Sequence, residues 1–101
     1  MKLISHRGNL TGPNPERENN PDYIWEAIQA GYDVEIDVWW VDGKFKLGHD
    51  EPKYHFPFSL IERHYSKLWI HCKNMDALSQ LNELDSSGLK VNYFSHENDL
   101  G

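Results

Sequence analysis

Strand-like and helix-like segments alternate along the chain, which predicts an α/β fold of parallel strands joined by crossover helices. Two segments carry the prediction. "DVEIDVWWV", residues 33–41, is β-branched and aromatic, while "NMDALSQLNELDSSG", residues 74–88, is amphipathic at helical spacing. A third observation agrees: polar side chains gather at the ends of the strand-like runs, where α/β folds place their chemistry.

The elements follow in order. "KLIS", residues 2–5, reads as a short strand running into "HRGN". From Asn9 to Pro21 the chain is rich in Asn, Gly and Pro and reads as loop. "DYIWEAIQAGY" has helical spacing, with Asp22 as N-cap, Gly31 as stop and Trp25 as a packing residue. After the strand at 33–41, Asp42–Gly43 signals a hairpin turn into "KFKLGHD". Residues 51–66 are mixed, with a short helix expected at Ser59–His64. "LWIHCK", residues 68–73, is a further strand; Asn74 caps the second long helix, and Gly88 ends it. "LKVNYFSHE", residues 89–97, is the last strand.

Length and charge narrow the function. A chain of 101 residues makes one domain, 1–101, with one modest core. A net charge of −6, with no basic stripe, argues against nucleic acid and anionic membrane surfaces as partners. Cys72 is the only cysteine, so no internal disulfide forms, and its apolar run marks it as a small buried hydrophobe. The apolar run near the N-terminus is too short for a signal peptide, and no stretch reaches membrane-spanning length, which makes the cytoplasm the expected location.

Glu35 and Asp37 pose the central question. Side chains two apart on a strand share a face, and two desolvated carboxylates that close repel each other. A positive partner is expected between them. As hard oxygen donors they suit Mg²⁺ or Ca²⁺. His6 and His49 have the pKa range for proton transfer, and Arg7 and Lys73 suit phosphate oxygens. His71 and His96 also lie in or just after strands. Each residue alone has an ordinary explanation as a solvated or core side chain. His55 and His64 are given no role, and Trp39, Trp40 and Trp69 read as core or sheet-face residues.

"HRG" after the first strand, "EN" at Glu18–Asn19, "EIDV" at 35–38 and "GHD" at 48–50 stand in the order and spacing of one family. The chain resembles the glycerophosphodiester phosphodiesterases from His6 to about Asp99, and sphingomyelinase-D-type enzymes are the nearest confusable relatives. The resemblance implies a (β/α)₈ barrel with a divalent metal at its top. Its catalytic histidines fall on His6 and His49, its first metal carboxylates on Glu35 and Asp37, and its phosphate-holding residues on Arg7 and Lys73. Glu18 matches a glutamate near the site. The implied reaction cleaves a small-molecule glycerophosphodiester to glycerol 3-phosphate and an alcohol.

Two departures refine the expectation. His71 stands where the family has a third metal carboxylate, which tilts the metal towards Zn²⁺ or Mn²⁺. An eight-stranded barrel takes roughly 200 residues or more, so this chain would be only about the first half of one. Such a half-barrel exposes strand edges, predicting self-association or pairing with a missing second half. A different class of function is a catalytically silent fragment that binds a phosphate ligand or a partner chain. A hydrolase with Zn²⁺ on His71, His6 and Asp37 ranks last, since it leaves Arg7 and Lys73 unexplained.

Overall fold

The structure is a computed structural model that describes residues 3–95. His96 and Asp99 lie outside those residues.

The first strand, β1, spans Ile4–His6. A long loop leads to helix α1 at Pro21–Gln29. Strand β2, Asp33–Val41, has the bounds that its sequence run predicts. A tight turn leads to β3, Lys44–Leu47, followed by a two-residue β4, Tyr54–His55. Helix α2, Phe58–His64, runs through a 3₁₀ turn into β5, Leu68–Cys72. Helix α3, Met75–Ser86, and strand β6, Asn92–Phe94, complete the order.

These strands form one six-stranded sheet in the order β4-β3-β2-β5-β6, with β1 also on β2. The pairings β1/β2, β2/β5 and β5/β6 are parallel, whereas β2/β3 and β3/β4 are antiparallel. Among the described residues the fold is therefore a compact mixed α/β sheet with three α-helices. It is not the first half of a barrel of alternating β/α units, contrary to what the resemblance implies. The physical cause lies in the turn. Asp42 and Gly43 both take positive φ (52° and 75°), the geometry of a two-residue hairpin. The chain folds straight back, so β3 and β4 enter the sheet as antiparallel strands. β1 and β3 share one edge of β2: β1 pairs along residues 33–35 and β3 along residues 38–41.

Alternation along β2 sorts the two faces. Val34, Ile36 and Val38 are fully buried and pack with Ile24 and Ala27 of α1, Ile61 of α2, and Ala77 and Leu81 of α3. Leu68, Ile70 and Cys72 of β5 continue that core, with the Cys72 side chain buried as expected. Asp33, Glu35 and Asp37 alternate onto the opposite face. No helix among the described residues is long and apolar enough to cross a membrane.

Local sequence explains the helix ends. The Asn20 side chain accepts from the Asp22 N–H and Pro21 occupies the first turn, so α1 starts earlier than Asp22 alone suggests. Asn74 caps α3 by accepting from Ala77 N–H, and also clasps the Trp40 backbone, accepting from its N–H and donating to its carbonyl. One side chain thus ties α3 to β2. Trp25 does not pack α1 into the core: it is 42% exposed and lies against the His64 ring at 4.9 Å.

Candidate functional site

β1 ends at His6, and the next two residues, Arg7 and Gly8, have φ of 57° and 92°. A left-handed conformation costs a non-glycine residue about 1–2 kcal/mol. Three sets of contacts offset it at Arg7. Its N–H donates to the Glu35 carbonyl at 2.6 Å, and its carbonyl accepts from Asn19 N–H at 3.0 Å. Its guanidinium bridges two carboxylates, with Nε 3.0 Å from Asp37 Oδ2 and Nη1 3.0 Å from Glu18 Oε1. Gly8 is needed because a Cβ there would lie 2.8 Å from the Tyr23 ring.

Glu18 is held on both oxygens. Oε1 accepts from Arg7, while Oε2 accepts from Asn9 Nδ2 at 3.2 Å and from Asn14 N–H at 2.8 Å. Burial opposes charge on Glu18. The hydrogen bonds from Arg7, Asn9 and Asn14, together with the Arg7 charge, outweigh burial and hold the carboxyl below the ordinary glutamate pKa.

Asp37, only 2% exposed, is the most enclosed acid of the group. Oδ2 accepts from Arg7 and from Asn19 Nδ2 at 3.0 Å, and Oδ1 lies 3.0 Å from His71 Nδ1. His71 sits opposite Asp37 in the β2/β5 register, and its ring stacks on Phe94 with centroids 5.1 Å apart. Glu35 faces a different partner. It is half-buried, with Oε1 3.7 Å from Nδ1 of His6, its register neighbour on β1. The two carboxylates therefore do share a face, and the positive group beside Asp37 is the Arg7 guanidinium.

His49 reaches the site from the end of β3. Gly48 before it is buried, and a Cβ there would overlap the Glu51 carbonyl oxygen, so only glycine fits this turn. His49 Nδ1 lies 2.9 Å from Asp50 Oδ1. A cleft of about 280 Å³ brings His49 together with Arg7, Glu18, Asn19, Asp50 and Lys53. Lys73 follows β5 at the same end of the sheet, its N–H donating to the Val38 carbonyl at 2.8 Å.

Of the predicted residues, then, Arg7, Glu18 and His49 share the cleft, and Arg7 links it through Asp37 to His71. His6 does not share it. It lines a separate depression with Ile4, Asn9 and Leu10. Sequence reading missed two members. Asn19 is fully buried at φ 66° and braces Asp37, and Lys53 is a second cation in the cleft. The pair "EN" pointed to Asn19, because asparagine is the side chain that best tolerates a left-handed backbone. Lys53 carried no signal beyond its nearness to "GHD".

Glu35, Asp37 and His71 do not converge on a common point. Both Asp37 oxygens are engaged by protein donors, the His71 nitrogen facing Asp37 is one of them, and Glu35 turns to His6. No group of three His, Cys, Asp or Glu among the described residues is arranged to hold an ion. This donor set does not fit a divalent metal as it stands. No family model matches the chain, and no curated protein or solved structure matches it.

Proposed function

We propose that this chain is a phosphodiester hydrolase of the glycerophosphodiester phosphodiesterase type, acting on a small-molecule ester to give glycerol 3-phosphate and an alcohol. One observation carries the reading: Arg7, His49 and Lys53 line a single cleft, and Arg7 is clamped there by two carboxylates. An arginine fixed through Nε and Nη1 keeps Nη2 for a phosphoryl oxygen, and Lys53 adds a second cation for the same anion. Preorganised cations of this kind favour the charge that develops on phosphorus-bound oxygens.

The proton inventory follows. Water adds to phosphorus as the bond to the alcohol oxygen breaks. His49, its Nδ1 turned to Asp50, takes the water proton on Nε2. His6, beside Glu35, supplies the proton that the departing alcohol needs. The products are a phosphomonoester and a neutral alcohol.

A second reading, phosphate binding without turnover, is favoured by one observation: His6 lines a different depression from His49. The deciding experiment measures glycerol 3-phosphate released from a simple glycerophosphodiester by the parent, His6→Ala and His49→Ala chains. Loss of one proton-transfer group is expected to lower the rate about 10²–10⁴-fold. Near-parental turnover in His49→Ala would remove the hydrolase reading. Saturable phosphate binding with no turnover in the parent would establish the second one.

A further inference from the structure

We infer that the Arg7 guanidinium occupies the electrostatic position of a divalent cation at this site, so that the folded chain has no Mg²⁺ or Ca²⁺ requirement. Two close carboxylates on one strand face need a positive neighbour. Asp37 has one supplied by the chain itself: Arg7 Nε stands 3.0 Å from Oδ2, and Asn19 Nδ2 shares that oxygen at 3.0 Å. The other oxygen faces His71 Nδ1 at 3.0 Å. A hard cation would have to displace these donors from an acid that is 2% exposed.

Arg7 is also fixed in place to a degree that a loosely compensating side chain would not be. Its backbone is held in the left-handed region by Glu35 and Asn19, and its Nη1 is held by a second, part-buried carboxylate, Glu18. The guanidinium meets both of its own carboxylates, Glu18 and Asp37, at 3.0 Å. The same reasoning makes the Asp37 and Glu18 carboxylates a latent ion site: take the guanidinium away, and the two acids it bridges lose their cation.

The test is a calorimetric and thermal-melting titration of the full chain with MgCl₂ and CaCl₂ against NaCl of equal ionic strength. The parent is expected to show no saturable heat and no rise in Tm beyond the NaCl control. Arg7→Gln is expected to acquire an ion response, with a rise of about 5 °C or more at ten times its Kd. Saturable binding to the parent with a Kd below about 1 mM, lost in Asp37→Asn, would overturn the inference. A folded Arg7→Gln chain that ignores both ions would overturn it too. If that variant does not fold, the parent titration decides alone. The catalytic arm rests on the hydrolase reading: turnover is expected to be unchanged by EDTA. A chain with no turnover on any ester would sink that reading and leave the titration result standing.

Discussion

Asn19 and Asp37 grip each other at two points: Asn19 Nδ2 donates to Asp37 Oδ2 at 3.0 Å, and Asp37 N–H donates to Asn19 Oδ1 at 2.9 Å. Both residues are buried, so neither bond has water as a substitute. Asn19→Ala removes both bonds and places a Cβ-bearing residue with no polar arm at φ 66°. The expected loss is about 2–4 kcal/mol in urea denaturation, combining the unpaired groups with the backbone cost. Asn19→Gly is expected to lose less, because it relieves the backbone part. Equal losses in the two variants would show that the backbone conformation contributes nothing.

Acid should weaken the fold through Glu18. Burial there opposes charge, but the Arg7, Asn9 and Asn14 hydrogen bonds and the Arg7 charge prevail, so the folded pKa lies below the unfolded one. A depressed carboxyl pKa stabilises the fold above the unfolded value of about 4.3, and the contribution fades as pH falls through the folded value. Glu18→Gln is expected to melt below the parent at neutral pH, with the gap narrowing as the pH drops beneath about 4. A gap that stays constant with pH would contradict this.

Gly48 offers a steric prediction. The Trp39 indole N–H donates to its carbonyl at 2.7 Å, and a Cβ would overlap the Glu51 carbonyl oxygen. Gly48→Ala is expected to cost more than about 2 kcal/mol and to shift Trp39 fluorescence as the 48–51 turn rearranges. A variant with parental stability and emission would mean the turn has more room than its backbone spacing allows.

Lys53 separates binding from folding. It is exposed, with its ammonium 5.3 Å from the Tyr54 ring, and it lines the cleft beside His49. Lys53→Met should leave stability within about 0.5 kcal/mol of the parent. On the hydrolase reading it should raise KM about tenfold, as expected for a lost contact worth about 1.4 kcal/mol. A change in kcat with KM unmoved would assign Lys53 to the transition state instead.

Segments whose structure is set by their own residues were the legible part of this protein. β2 and α3 are such segments: one has an alternating β-branched pattern, and the other has a capping asparagine and an apolar stripe. Segments set by what they meet were opaque. Asp42–Gly43 predicted the hairpin that lays β3 antiparallel on β2, yet nothing local said that β3 would take the same edge of β2 as β1 or that β4 would extend the sheet beyond it. Trp25 has the spacing of a core residue but meets His64 outside the core. At the site, residue types revealed which side chains carry chemistry. Their pairing depended on the path of the 9–20 loop, which brings Glu18 and Asn19 back to Arg7 and Asp37. A positive partner for Asp37 was foreseen; that it is a protein side chain was not.

Among the described residues, β1 joins the sheet along one edge, through three register pairs with β2. β2 itself is paired on both sides, and its link to β5 extends over five register pairs. Amide hydrogen exchange in such an arrangement falls into tiers, with β1 opening in sub-global fluctuations while the β2/β5 ladder stays protected. Each excursion of β1 carries His6 and Arg7 away from Glu35 and Asp37. Warming or mild denaturant would therefore silence the site before the tryptophan signals report any melting of the core.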